Sequence, residues 1–203
     1  MPLTPDTPAI AFAGSMRLAE GPLSEVAIAA KRAFDSVADG TIFIFDMASA
    51  EPIDLSFEGS EDDFAAHLQV VTCPRRAKML PESPRSVGRP KLGVTAREVT
   101  LLPRHWDWLN GQPGGASAAL RKLVEYASRE NQDADRARQA RDATYRFIHA
   151  IAGDEPGFEE ASRALFAADG ARFANAIAQW PADVRAHATR LSAAFFEPAP
   201  DNA

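Results

Sequence analysis

Residues 74–90 hold four prolines, and this density limits the possible folds more than any other feature of the sequence. Proline fixes φ and has no N–H to donate, so neither a long helix nor an inner strand can run through the stretch. We therefore predict an extended basic linker over residues 73–93, which separates residues 9–72 from the rest of the chain.

The charge of the chain changes sign on either side of this linker. Residues 1–73 hold 3 Lys/Arg against 12 Asp/Glu, residues 74–104 hold 8 against 2, and residues 105–203 hold 11 against 14. The formal net charge of −6 argues against a general nucleic-acid binder. A basic stretch between two acidic halves is consistent with either a solvated linker or a segment that faces phosphates, and both interpretations stay open.

The composition also bears on location. A single cysteine, Cys73, excludes an internal disulfide and favours a reducing compartment. The N-terminus lacks the pattern of a signal peptide, and no run of about 18 apolar residues is present. We therefore expect a cytoplasmic protein that contacts no membrane.

The pattern before the linker alternates between strand and helix over residues 9–72. Strands are predicted at residues 9–13, 16–20, 41–45 and 53–58, with 41–45 as the central strand. Helices are predicted from residue 23 to about 37 and after Ser60, which forms a capping-box pair with Asp63. This order predicts a small antiparallel sheet with helices packed on one face.

The sequence after residue 132 is helical in pattern, and we predict a helical bundle over residues 132–196. Its helices are expected at residues 134–152, after a capping Asp154, around residues 173–180, and from Pro181 onward. The whole chain is thus predicted as an α+β protein with a ribbon–helix–helix-like middle over residues 94–131 and a helical C-terminal part.

No catalytic centre is recognisable, so an enzyme is not the favoured interpretation. The four histidines lie far apart, and no phosphate loop is present, so no metal or cofactor is predicted. Asp183 and His187 are spaced to touch on one helix, and Arg138 and Arg141 share a helix face. These pairs leave open a composite enzyme site, and any small-molecule ligand stays unidentified.

The middle of the chain carries the strongest functional signal. The cationic GRPK stretch at residues 88–91 is similar to short hooks that lie in the minor groove of AT-rich DNA. A strand at residues 97–102, a short helix at 104–112 and a longer helix capped by Ser117 follow. This order resembles the ribbon–helix–helix fold of small bacterial repressors, in which Leu120, Leu123 and Val124 would form a dimer core.

That resemblance implies how DNA would be bound. Two chains pair one strand each into a ribbon that enters the major groove, and amides at the start of the second helix hold a phosphate. The implied nucleic-acid-binding residues are Arg89, Lys91, Arg97, Thr100, Arg104 and Ser117. The strand register is open: one buries Glu98, Thr100 and Leu102, and a slip of one residue buries Val99 and Leu101 instead.

The chain resembles, over nearly its full length, the bacterial family catalogued as domain of unknown function 2239. The resemblance rests on residues 88–93 (GRPKLG), 97–109 (REVTLLPRHWDWL), 112–117 (QPGGAS), 153–160 (GDEPGFEE) and 180–183 (WPAD). It implies a bacterial, cytoplasmic protein and no assigned activity.

Two functions of different kinds follow from these patterns. The first is a homodimeric regulator that binds double-stranded DNA through the strand–helix–helix segment. The alternative is a non-enzymatic protein-interaction module, suggested by the acidic halves and by Trp106 and Trp108. Of these two tryptophans, one is expected in the core and the other at a dimer or domain contact.

Overall fold

The computed structural model describes residues 3–36, 41–61, 63–64, 68 and 97–197, so the predicted linker with its four prolines lies outside the described residues. The chain divides into two compact units, one formed by residues 1–78 with 133–203 and the other by residues 79–132. The α+β prediction is confirmed: the described residues hold one antiparallel sheet and several helices.

The elements follow one another along the chain as strands, helices and then helices alone. The strands are β1 (Pro8–Ala13), β2 (Met16–Pro22) and β3 (Ile42–Asp46). The helices are α1 (Leu23–Ser36), α2 (Pro103–Asn110), α3 (Gly115–Glu130), α4 (Gln132–Ile151), α5 (Phe158–Phe166), α6 (Gly170–Ala176) and α7 (Ala182–Phe196).

The sheet of the first unit has the order β2-β1-β3, with both neighbours antiparallel to β1. Gly14 has φ +54° in the β1–β2 turn, a left-handed conformation that glycine adopts without strain. The prediction that residues 41–45 are the central strand is wrong, because β1 takes the middle position. Small side chains at Ala9 and Ala11 let β1 fit beneath a helix while it pairs on both edges.

The predicted strand over residues 53–58 is reduced to an isolated bridge between Phe45 and Pro52. Its alternation is nevertheless real, since Ile53 is buried, Leu55 and Phe57 are half-buried, and the residues between them are exposed. Ile53 N–H still donates to the Ile44 carbonyl at 2.8 Å, but no ladder continues beyond it among the described residues.

The sheet is covered on both faces rather than on the one face that the sequence predicted. Ala9 and Ala11 pack with the buried stripe of α1, while Ile10 and Phe12 point to the opposite side. On that second face they join the core formed by α4, α5, α6 and α7. The C-terminal helices therefore complete the N-terminal sheet within one unit.

Caps decide where several helices of this unit begin. The predicted capping box is confirmed, since Asp63 N–H donates to Ser60 Oγ at 3.2 Å and Ser60 N–H to Asp63 Oδ2 at 3.4 Å. Pro181 is the N-cap of α7, as predicted. The expected cap at Asp154 is wrong: α5 begins after Gly157, whose φ of +84° turns the chain. No described helix combines the length and the apolar character needed to cross a membrane.

Candidate nucleic-acid interface

The second unit is described from residue 97, as an irregular segment followed by the antiparallel-type pair α2 and α3. Leu102 has φ −66° and ψ 150°, an extended conformation, and Pro103 opens α2. Proline suits this position because the first N–H groups of a helix have no intrahelical acceptor. The predicted short helix is confirmed within two residues at each end.

The turn between the helices depends on two left-handed glycines. Gly114 has φ +87° and Gly115 has φ +75°, and a Cβ on Gly114 would lie 3.0 Å from Ala118 Cβ. Gly114 is the N-cap of α3, so the prediction that Ser117 caps this helix is wrong. Ser117 lies in the first turn instead, where its carbonyl accepts from Arg121 Nε at 3.2 Å.

An apolar groove of about 260 Å³ runs along this helix pair. Leucines from three places in the sequence line it: Leu101 before α2, Leu109 at its end, and Leu120 with Leu123 on α3. The remaining lining side chains, from α2, are Arg104, His105 and Trp108. The "groove" hereafter means this set.

Little of the unit's apolar surface is buried in a single chain. Among the described residues 97–132, only Leu109 and Ala119 are buried. Val124 is 64% exposed and Tyr126 is 65% exposed. Val99, Leu102, Trp106, Trp108 and Leu123 are exposed as well. Neither tryptophan is in a core, contrary to prediction, and exposed apolar surface of this extent is typical of an interaction site.

The residues predicted to bind nucleic acid are placed as follows. Arg97 and Thr100 are exposed in residues 97–102, which belong to neither helix nor strand. Arg104 lines the groove, and Ser117 is exposed near the start of α3. Arg89 and Lys91 lie outside the described residues. The groove itself was missed by the sequence analysis, which placed Leu120 and Leu123 in a dimer core but not Leu101 beside them.

Charge divides between the two units. Residues 79–132 hold 8 Lys/Arg against 5 Asp/Glu, whereas the remaining residues hold 14 against 23. Within the part of the second unit that the structure describes, Arg129 pairs with Glu125 at 2.6 Å, while Arg97, Arg104 and Lys122 form no ion pair. Their donors are open to an anionic partner.

The predicted Asp183–His187 contact does not form in the first unit. Asp183 Oδ2 accepts from the backbone N–H of Arg17 at 3.0 Å, and His187 Nδ1 lies 2.8 Å from Arg190 Nη2. Because arginine can only donate, Nδ1 accepts and the proton of the neutral ring sits on Nε2. The same Arg190 pairs with Glu20 at 2.6 Å.

His187 is poorly placed for proton transfer. It is 3% exposed, its ring packs edge-on against Phe147 with centroids 4.5 Å apart, and Nε2 is buried without a partner among the described residues. Burial lowers the pKa of His187 to about 4, and the charge of Arg190 acts in the same direction. The imidazole is therefore neutral and enclosed at physiological pH.

The other residue pair considered for a composite site is also engaged locally. Arg138 pairs with Asp135 at 2.6 Å and Arg141 with Asp142 at 2.7 Å, both along α4. No group of three or more potential metal ligands occurs among the described residues. The groove of the second unit is therefore the better candidate for a functional surface.

A family model described as an uncharacterised protein conserved in bacteria, DUF2239, matches residues 8–192. No curated protein and no solved structure matches the chain.

Proposed function

The chain belongs to the DUF2239 family of uncharacterised proteins conserved in bacteria, and from this premise we propose that it is a homodimeric regulator that binds double-stranded DNA. The DNA-contacting part is residues 97–130 of each copy. Residues 97–102 of two copies pair as an antiparallel ribbon, with α2 and α3 of both copies packed behind it.

The groove is the observation that carries this proposal. It presents leucine side chains from the segment before α2, from α2 and from α3 on one side of a short helix pair. A second copy related by a two-fold axis brings the same apolar set to the same place, so the contact is self-complementary. Burying Leu101 and Leu123 in this way removes apolar surface from water, which favours association.

The charge distribution supports a DNA partner over an acidic one. The unit that contains the groove has a net charge of +3, whereas the rest of the chain has −9. Phosphates attract the first and repel the second, so the molecule would approach a duplex with the helix pair first. A two-stranded ribbon has dimensions that fit the major groove.

The direct test is a mobility shift of the full chain with genomic duplex fragments. We expect binding whose logarithmic affinity falls linearly with the logarithm of salt concentration, because bound cations are released from the phosphates. Absence of any shift at low salt contradicts the proposal.

A pair of matched variants separates the groove from the rest of the surface. Leu123→Glu places a charge in the groove, while Met16→Glu makes the same chemical change on the first unit, where Met16 is also exposed. We expect Leu123→Glu alone to halve the mass in solution and to lose DNA binding. A Leu123→Glu protein that stays dimeric and binds DNA would remove the groove from the interface. A stoichiometric complex with a different protein would favour the interaction module instead.

A further inference from the structure

Leu101 and Leu102 are neighbours in sequence but have different environments. Leu101 is half-buried and lines the groove with Leu109 and Leu120. Leu102 is 48% exposed and is the N-cap of α2. The side of the segment that faces the helices is therefore the side of Leu101, which distinguishes between the two registers that the sequence left open.

Alternation along a strand extends this assignment to the residues before it. In a paired ribbon, successive side chains point to opposite faces, so Val99 and Arg97 share the face of Leu101. Val99 is 54% exposed in the single chain and would be covered by the second copy. Glu98 and Thr100 then lie on the outer face, away from the helices.

We propose that Glu98 and Thr100, and not Arg97, contact base edges, and that Glu98 selects a C·G base pair. This inference rests on the proposed function. A carboxylate can only accept hydrogen bonds, and in the major groove the N4 amine of cytosine is a donor that it can reach. Thr100 carries a hydroxyl that donates or accepts and a methyl group that can contact thymine.

An acidic reader also shapes the balance between specific and non-specific binding. Near a duplex without the matching base, the charge of Glu98 faces phosphates and is repelled. Beside cytosine, the carboxylate gains a hydrogen bond that offsets this repulsion. Glu98 therefore lowers affinity for random sequence more than for the target, which raises discrimination.

The experiment is a selection of bound duplexes from a random library with the full chain, followed by affinity measurements on the selected sequence. The variants are Glu98→Gln, Thr100→Val and, as the matched control, Arg97→Gln. All three positions are exposed in the single chain, so their folding and mass are checked by circular dichroism and light scattering. Two-fold symmetry makes the selected site an inverted repeat that contains C·G twice.

We expect Glu98→Gln to bind random duplex more tightly and to lose about tenfold or more in discrimination at the C·G position. Thr100→Val changes the preference at an adjacent base pair. Arg97→Gln weakens binding to all sequences alike and keeps the preference. If the wild-type chain binds DNA and the Glu98 and Thr100 variants keep its base preference, this inference is wrong while the proposed function stands. If the wild-type chain binds no DNA, both are wrong.

Discussion

Arg190 on α7 donates to Glu20 on β2 at 2.6 Å, although the two residues are 170 positions apart in sequence. The same guanidinium reaches His187 Nδ1 at 2.8 Å, so it joins the buried imidazole to the sheet. Glu20 also accepts from Arg17 at 3.2 Å. The hydrogen bond from Arg190 is the main reason that the pKa of Glu20 is lowered.

Replacing Arg190 tests what this link contributes to stability. Both side chains are partly exposed, which limits an ion pair of this kind to about 1 kcal/mol or less. Arg190→Ala also removes the donor to His187, so we expect a loss of about 1–2 kcal/mol in the free energy of unfolding. Urea denaturation of Arg190→Ala, Glu20→Gln and the double variant measures the coupling. Full additivity of the two single effects would show that the residues act independently.

His187 makes the stability depend on pH in a defined window. Its folded pKa of about 4 lies below the ordinary value of 6.5, so the unfolded chain binds a proton that the folded chain does not. The free energy of unfolding therefore falls as the pH drops from about 6.5 towards 4, and His187 contributes no further loss below that.

Denaturation curves between pH 5 and 7 isolate this contribution, because Glu20 and Glu160, whose pKa values are lowered, remain charged there. His187→Gln removes the titrating group and should flatten the dependence in this range. An unchanged slope in the His187→Gln protein would mean that another group titrates.

Gly157 and Gly14 allow backbone strain to be compared with and without a steric clash. Both have positive φ, but a Cβ at Gly157 would lie 2.8 Å from the Ala176 carbonyl oxygen, whereas one at Gly14 meets nothing within 4 Å. We expect Gly14→Ala to cost about 1 kcal/mol and Gly157→Ala more than about 2 kcal/mol. Equal losses in thermal unfolding would show that the loop before α5 relaxes around the new methyl group.

The proposed dimer makes thermal stability depend on protein concentration. Association of folded chains stabilises them by mass action, so the midpoint of unfolding should rise as the protein is concentrated. Leu123→Glu, in the groove, should abolish the rise, and Phe166→Glu, an exposed apolar residue of the first unit, should leave it intact. A midpoint that is constant across a hundredfold range of wild-type concentration would argue against a folding-linked dimer.

Much of the secondary structure was predictable because it depends on local signals. The stripe of α1, the β1–β2 turn at Gly14 and the Ser60–Asp63 capping box are each set by neighbours in sequence. The errors arose where a distant contact decides. That β1 is central depends on β3 and on α4, and α5 starts at Gly157 because of its approach to Ala176.

The candidate site was predictable in part for the same reason. Pro103, the glycine turn and the apolar positions of α3 indicate a helix pair, and the structure contains one. The groove was not predictable, because it depends on how Leu101 packs against two helices. Alternation within residues 97–102 allowed either face to be buried, and only the packing of Leu101 distinguishes them.

The two-sided burial of β1 has a consequence for the newly made chain. Phe12 contacts Phe147, with ring centroids 5.4 Å apart, so one face of the first strand has no cover until α4 leaves the ribosome. During translation the hairpin can pack only against α1, and its second face stays open to chaperones or to aggregation. Contacts between such distant parts of a chain also slow folding, so the first unit should mature late.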